Sequence, residues 1–506
     1  MRKKSNALPS KVNLDIRFFT AKNGSISCSA NGTSLHSSYD PEKEGERFAA
    51  SLGASFYPEY IIVTEPALSY CETFLRKRFP SATLCAVRYS EDFSESDKRW
   101  DIVFNAAKKE DELSENLFAA LGEEGLCSSL FASWHPSARA FPRKNEAVWR
   151  EIKNAVDKGR DVLFTRSAFS SRWILNAFFI CKHIERVKTL IKGNAPLVIA
   201  ASGPSLTNAL PLLARFRKYY FLIAVSSALS VLSAHGIVPD LCFSTDGGFY
   251  AKAHLARLAF VSGIPLALAE EAACGGTILS QNDIVPLSYG DGFASKLFKS
   301  CGIPSVKIER NGTVSGSALS FAKAITDGPI FFCGLDLAPA LGLQHAEPNE
   351  LDLRAEIFDV KTFPKETRAS ISRFTSGALR LYRKWFQALP EKETRNVYRL
   401  AHEYRFSNTL GAIGDVDFDF FEKSLSPNGT LPRIADKALA QKEAVQKSAL
   451  DFAKRHGQSD EWLHEFFPAE YISWKRETDG EEKGRKAKTL EKKSDELLKK
   501  IERLLS

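Results

Sequence analysis

The stretch LVIAASGPSLTN, residues 197–208, decides the fold. Leu197 to Ala201 is an unbroken apolar run with the length of a buried strand. It passes through Ser202, Gly203 and Pro204 into Ser205, Leu206 and a helical pattern. In an open α/β sheet, ligands bind beyond the carboxyl ends of the strands. Gly203 lets backbone approach a ligand closely. The helix that follows offers free N–H groups and a positive dipole end to a phosphate. Ser205 and Thr207 supply hydroxyls that cap the helix or bond a phosphate oxygen. The turn is neither a Walker A loop, since no Gly-Lys-Ser/Thr follows, nor G-x-G-x-x-G. Alone, it is equally an ordinary strand-to-helix connection.

Reading outward from this turn, PLVIAA, YYFLIAVS, DLCFST, PLALAE and PIFFCGLDL alternate with helical patterns between about Asn194 and Pro348. Strands that alternate with helices predict a mostly parallel, Rossmann-like sheet covered on both faces. Polar residues recur just past these runs. Ser226 and Ser227 end the second, and Asp246 stands in Thr245-Asp246-Gly247-Gly248 after the third. Asp246 reads as a ligand contact or as a turn former. The segment NGTVSGSA, 311–318, opens another helix with Gly312, Thr313, Ser315, Gly316 and Ser317. Asp336 follows PIFFC, and His345 stands on the loop beyond, in reach of a phosphate contact or a proton-carrying role.

Upstream, LDIRFF and SISCSA read as strands joined by a turn at Lys22-Asn23-Gly24. Asp40 is placed to cap a helix that starts at Pro41. YIIVTEP, ATLCAVRY and WDIVFN read as strands of a β-α-β unit. Glu65, at the end of the first, can bind a ribose in such units, but no glycine-rich turn precedes it, and a structural role is preferred. The expected organisation is an N-terminal α/β domain over 1–143, a helical connector of two helices over 144–193, a central domain over 194–410, and a helical C-terminal region over 411–506. NVYRLA is expected to add a strand to the central sheet, Ile434 to Arg455 to form a long helix, and Leu490, Leu497, Ile501 and Leu504 to share one helix face.

The 506 residues carry a net charge of +8, spread along the chain, with 44% hydrophobic and 26% charged residues. These values fit a soluble globular protein and give no sign of a nucleic-acid-binding tract. The nine cysteines show neither C-x-x-C nor zinc spacing, so reduced, buried thiols and a cytoplasmic location are expected. No run approaches the roughly 20 apolar residues of a membrane span.

The ordered set Gly-Pro-Ser-Leu, AVSSAL, HGIVPDLCFSTD, NGTVSGSALSFA and GLDLAP with its following His-Ala resembles the central domain of the motility accessory factor (Maf) family, and LHSSYDPEKEGERFA resembles the segment upstream of it. The resemblance covers about Asn31 to Phe406. It implies a glycosyltransferase that decorates flagellin with nonulosonic, sialic-acid-like sugars. The domain also looks like bacterial CMP-sialic-acid sialyltransferases. By that likeness Ser202, Gly203, Pro204, Ser205, Leu206, Ser226, Gly312, Thr313, Ser315, Gly316 and Ser317 hold the nucleotide, with Ser226 standing where those enzymes have an Asn. Their general base is a His after a flexible lid, whereas Ser372 to Ser376 here contains none. Asp246, Asp336 and His345 are the catalytic candidates. The implied donor is a CMP-activated sugar and the implied partner is flagellin, with no membrane span, no nucleic acid and no required metal or other cofactor. An MptE-like pterin pyrophosphokinase using ATP and magnesium, and a non-catalytic flagellin-binding module, are the alternatives.

Overall fold

The computed structural model describes residues 15–53, 56–107, 110–261, 263–337, 345–350, 356–364, 367, 377–401, 409–425 and 428–506. The chain divides into two compact units: the described residues up to Phe169 with Phe466–Lys493, and Ser170–Glu465 with Ser494–Ser506.

The first unit opens with strands β1 (Ile16–Thr20), β2 (Ile26–Ala30) and β3 (Thr33–Ser34), paired antiparallel in that order. Gly24, at φ +88°, takes the positive-φ place in the β1–β2 turn. Asp40 accepts from Lys43 N at 3.0 Å and caps the helix Pro41–Ser51. A parallel sheet follows, built from β4 (Tyr60–Thr64), β5 (Thr83–Arg88), β6 (Ile102–Asn105) and β7 (Ser129–Ser133), in the order β6-β5-β4-β7. Alternate residues supply its two cores, Ile62, Cys85 and Val87 on one face and Ile61, Val63, Leu84 and Ala86 on the other. With both faces covered, the strands read as continuous apolar runs rather than as alternation.

The second unit holds β8 (Val187–Ile191), β9 (Leu197–Ala200), β10 (Phe221–Val225), β11 (Leu241–Ser244), β12 (Leu266–Ala269), β13 (Ile284–Ser288), β14 (Val306–Lys307), β15 (Ile330–Cys333), β16 (Val397–Leu400), β17 (Gly414–Val416) and β18 (Arg433–Lys437). Their order is β17-β16-β15-β9-β10-β11-β12-β13-β8-β18, with β14 beside β13. Every pairing is parallel except β18 with β8. The expected mixed α/β fold and mostly parallel central sheet are present, and NVYRLA does enter that sheet as β16. Beginning at β9 the chain adds strands in one direction as far as β13, then returns to lay β15 on the other side of β9. The reversal falls between β9 and β15, and open sheets of this kind bind ligands at the carboxyl ends of the strands at such a point, here called the crevice.

Three local expectations are corrected. The connector is a single helix, Pro142–His183, followed by β8, not two helices. Ile434 lies in β18, and the helix after it spans Lys442–His456. At the C-terminus Leu490, Leu497 and Ile501 are buried as expected, but Leu505 joins them rather than Leu504. The stretch Ser372 to Ser376 lies outside the described residues. All nine cysteines are free, and burial pushes the thiols of Cys71 and Cys85 up to about 12. Among the described residues no helix is long and apolar enough to cross a membrane.

Candidate functional site

Because β9, β10, β11, β12 and β15 run parallel, the turns after them share one edge of the sheet. The helix Val314–Ile325 connects β14 to β15 and packs on β9, β10 and β11. It runs back against the strands, so its N-terminus, with Gly312 and Gly316, lies at that same edge.

At the crevice the turns are locked together. Gly203 N donates to Gly334 O at 2.8 Å. A Cβ on Gly203 would come within 2.5 Å of Gly334 O and 2.7 Å of Asp336 Cγ. Glycine is therefore required by the turn's own packing against the β15 loop, before any ligand arrives. Asp336, 3% exposed, accepts from Ser205 N at 2.9 Å through Oδ2 and from the Ser205 hydroxyl through Oδ1. It thus fixes the start of the helix Leu206–Arg215, and the Ser205 hydroxyl is turned toward Asp336. Leu206 is fully buried and belongs to the core. Pro204 O accepts from Thr207 N within the turn.

Ser202 anchors the other side. Its carbonyl accepts from Ala346 N at 2.7 Å, and its Oγ lies 2.9 Å from His345 Nδ1. Ser227 Oγ donates to Ser202 Oγ at 2.8 Å. Between Ser202 Oγ and His345 Nδ1 either group can be the donor, so the hydroxyl chain positions the imidazole ring. The same loop is tied down by Asn349 Nδ2 donating to Ser227 O at 3.4 Å, and by Glu350, which accepts from the Ser230 hydroxyl and lies 3.6 Å from His254 Nδ1. Ser227 was visible beside Ser226 in the sequence but was not singled out. Its neighbour Ser226 is buried.

The Asn311–Ser317 turn behaves as a helix start. Asn311 Oδ1 accepts from Thr313 N at 2.9 Å, and Thr313 Oγ1 caps the helix by accepting from Gly316 N at 2.8 Å. Ser317 is fully buried and donates to Glu309 O at 3.1 Å. Gly312 is exposed and Ser315 half-buried, so these two remain accessible on the turn. Asp246 is exposed, and its Oδ1 accepts from Gly248 N at 2.7 Å. It both forms its turn and leaves a carboxylate at the rim.

A cluster at the ends of β12 and β13 escaped the sequence reading. Arg310, immediately before the Asn311 turn, pairs with Glu271 at 2.7 Å and Asp291 at 3.0 Å, and lies 4.1 Å over the Tyr289 ring. Beside it, Glu270 is fully buried and accepts from Ser295 Oγ at 2.5 Å and Tyr289 N at 3.1 Å. Burial pushes its carboxyl up to about 7. The doublet Glu270-Glu271 after an apolar strand was the available signal. Among the described residues no three His, Cys, Asp or Glu gather as a metal-binding group.

The arrangement gathers hydroxyls, two helix starts and the His345 imidazole at one sheet edge where the strand order reverses, with the Asp246 carboxylate on the rim. Residues 171–340, which include the turns after β9 and β15 but not His345, match the family described as 6-hydroxymethylpterin diphosphokinase MptE-like. The chain is 28% identical over 335 residues to an uncharacterized protein of Treponema pallidum (strain Nichols), spanning 65% of this chain and 74% of that one. Its fold is similar to that of the MAf glycosyltransferase from Magnetospirillum magneticum AMB-1, with a TM-score of 0.53 over 96% of this chain and 91% of that one, at 13% identity. At that identity the likeness is one of fold.

Proposed function

We propose that the chain is a cytoplasmic glycosyltransferase that moves a nonulosonic sugar from a CMP donor to Ser or Thr hydroxyls of flagellin. The reading is carried by the Ser202–Ser227–His345 chain at the crevice between β9 and β15, in a chain whose fold is that of a glycosyltransferase along nearly its whole length. The acceptor oxygen forms a bond to the anomeric carbon, and the bond from that carbon to the phosphate oxygen breaks. CMP leaves with the electron pair, and the hydroxyl proton passes to a base. His345, held at Nδ1 by Ser202, is placed in this reading to meet the leaving phosphate. Asp246, exposed at the rim, is the base in this reading. Asp336 holds the Ser205 turn in place and is a positioning residue. Helix N-termini and hydroxyls can stabilise a leaving monophosphate, so no metal is required.

The family match over 171–340 favours a second reading, transfer of a diphosphate from ATP to a pterin. That chemistry needs carboxylates gathered on magnesium. Of the two aspartates at this edge, Asp336 is held by the Ser205 turn, which leaves Asp246 without a second carboxylate to share a metal with among the candidates and supports the glycosyl-transfer reading.

Calorimetric titration separates the two. CMP is expected to bind saturably, and Ser202→Ala to weaken it by about fivefold to tenfold, the worth of one hydrogen bond. Tight binding of ATP with magnesium and none of CMP would transfer the assignment to the kinase reading. A Gly203 substitution is a poor probe, because the side chain would strike Gly334 and Asp336 whether or not nucleotide binds.

A further inference from the structure

Asp246 and His345 stand on different segments, one on the turn after β11 and the other on the loop beyond β15. A transfer in which one takes the acceptor's proton and the other meets the leaving phosphate needs a fixed distance between them. From the Asp246 turn the chain enters the helix Ala251–Leu255. Asp246 Oδ1 accepts from Gly248 N at 2.7 Å, and Gly248 O accepts from Ala251 N at 3.1 Å. His254 lies on this helix and is buried. The helix packs on Ser226–Ala228 and on the helix Leu229–Ala234. These are the two segments that hold the far end of the His345 loop, through Ser227 O to Asn349 and through the Ser230 hydroxyl to Glu350.

At that far end Glu350 divides its carboxylate. One oxygen accepts from the Ser230 hydroxyl, and the other, Oε2, lies 3.6 Å from His254 Nδ1. Both Oε2 and Nδ1 are buried and make no hydrogen bond. Buried polar atoms in that state are unfavourable. The two are complementary, because a carboxylate oxygen accepts and Nδ1 donates in the cation and in one neutral tautomer. A closing movement of about half an ångström brings them to hydrogen-bond length. We propose that His254 is a positioning residue, which donates through Nδ1 to Glu350 and ties the loop carrying His345 to the helix behind Asp246, so setting the distance between those two groups. The inference rests on the glycosyl-transfer reading and adds to it a residue that acts through the other two.

The test uses the full chain with a CMP-activated nonulosonic donor and purified flagellin. It reads kcat, the half-saturating flagellin concentration, and deuterium uptake over residues 345–350, where Ala346 N donates to Ser202 O. His254→Leu removes the donor, His254→Gln carries an N–H at the place of Nε2, and His254→Asn carries one at the place of Nδ1. The first two are expected to lower kcat on the order of tenfold at unchanged flagellin half-saturation, because they misplace reacting groups without weakening the acceptor's binding. Both should also exchange faster over 345–350. His254→Asn should return kcat and exchange toward wild type. If His254→Leu does not fold, His254→Gln against His254→Asn makes the same comparison. Wild-type kcat and exchange in folded His254→Leu or His254→Gln would overturn the proposal and leave the transferase reading standing. An equal loss in all three variants would do the same, since His254 would then only fill space. A wild-type protein that transfers no sugar would overturn the transferase reading and the proposal with it.

Discussion

The two units carry the same device, the carboxyl edge of a parallel sheet, and treat it in opposite ways. In the first unit the edge is plugged. Glu65, fully buried at the end of β4, accepts from Arg88 at 3.1 Å and from the backbone N of Ala67, Tyr89 and Ser90. Arg88 in turn reaches Asp97 at 2.7 Å, Ala67 O, Ser69 and Ser96. Each of these groups faces another, and Glu65, an acid that could have held a ribose, is consumed by structure. In the second unit the turns after β9 and β10 end in hydroxyls beside an imidazole, Asp246 is exposed after β11, and the arginine at this edge, Arg310, pairs with Glu271 and Asp291 with its side chain 43% exposed. A topological edge permits a site; the side chains decide whether the polar groups satisfy one another or wait for a ligand.

That contrast can be broken at Arg88. Arg88→Ala leaves the Glu65 carboxylate buried without its cation and is expected to cost about 3–5 kcal/mol. Arg310→Ala removes a pair of similar geometry, but one whose arginine side chain is 43% exposed, and should cost about 1 kcal/mol or less. Thermal or urea unfolding of the two variants compares them directly. Equal losses would mean that the first edge is not the closed structure described.

Glu270 sharpens the contrast, because it is as buried as Glu65 yet is bonded to Ser295 and Tyr289 N and has no arginine partner among the described residues. With its carboxyl raised from an ordinary value of 4.5 to about 7, the folded protein keeps a proton that the unfolded chain has released between those values. Stability contributed by this group should therefore fall as pH rises through that window and level off above it, by on the order of 3 kcal/mol. Glu270→Gln should flatten the pH dependence of the unfolding midpoint. An unchanged slope would contradict the assignment.

His345→Ala should lower sugar transfer on the order of a hundredfold with little change in melting temperature, as loss of a group acting on the leaving phosphate would. Ser227→Ala, which frees the Ser202 hydroxyl to point elsewhere, should cost about tenfold and shift the pH profile of the rate, because the imidazole loses the hydroxyl chain that orients it. A rate that falls with no change of profile would make Ser227 merely structural.

Much of the second unit was legible because its central strands are buried on both faces and read as plain apolar runs between turn residues. Strands at the margins of the sheet were not. VKTLI and RIADK pair with each other at one end, and their alternating Lys, Thr and Asp resemble helix as much as strand. IVPLS contains a proline, yet forms the interior strand β13. The connector expected as two helices is one helix, Pro142–His183, which runs on through Gly159. The turns of the site were found from Gly203, Asp246, Gly312 and Asp336. What spacing could not show was the direction of each hydroxyl. The Ser205 hydroxyl turns to Asp336 and that of Thr313 caps its helix, while Ser227 turns to Ser202 and Ser202 to His345.

The most direct test of the central claim is intact-mass analysis of flagellin incubated with this protein and a CMP-activated nonulosonic sugar. The account predicts a mass gain of whole sugar residues, released CMP in equal amount, and loss of both in His345→Ala. Unmodified flagellin and intact donor in the presence of the folded wild-type protein would contradict it. Conversion of ATP and a hydroxymethylpterin to the pterin diphosphate in the same hands would identify the chemistry that the crevice carries instead.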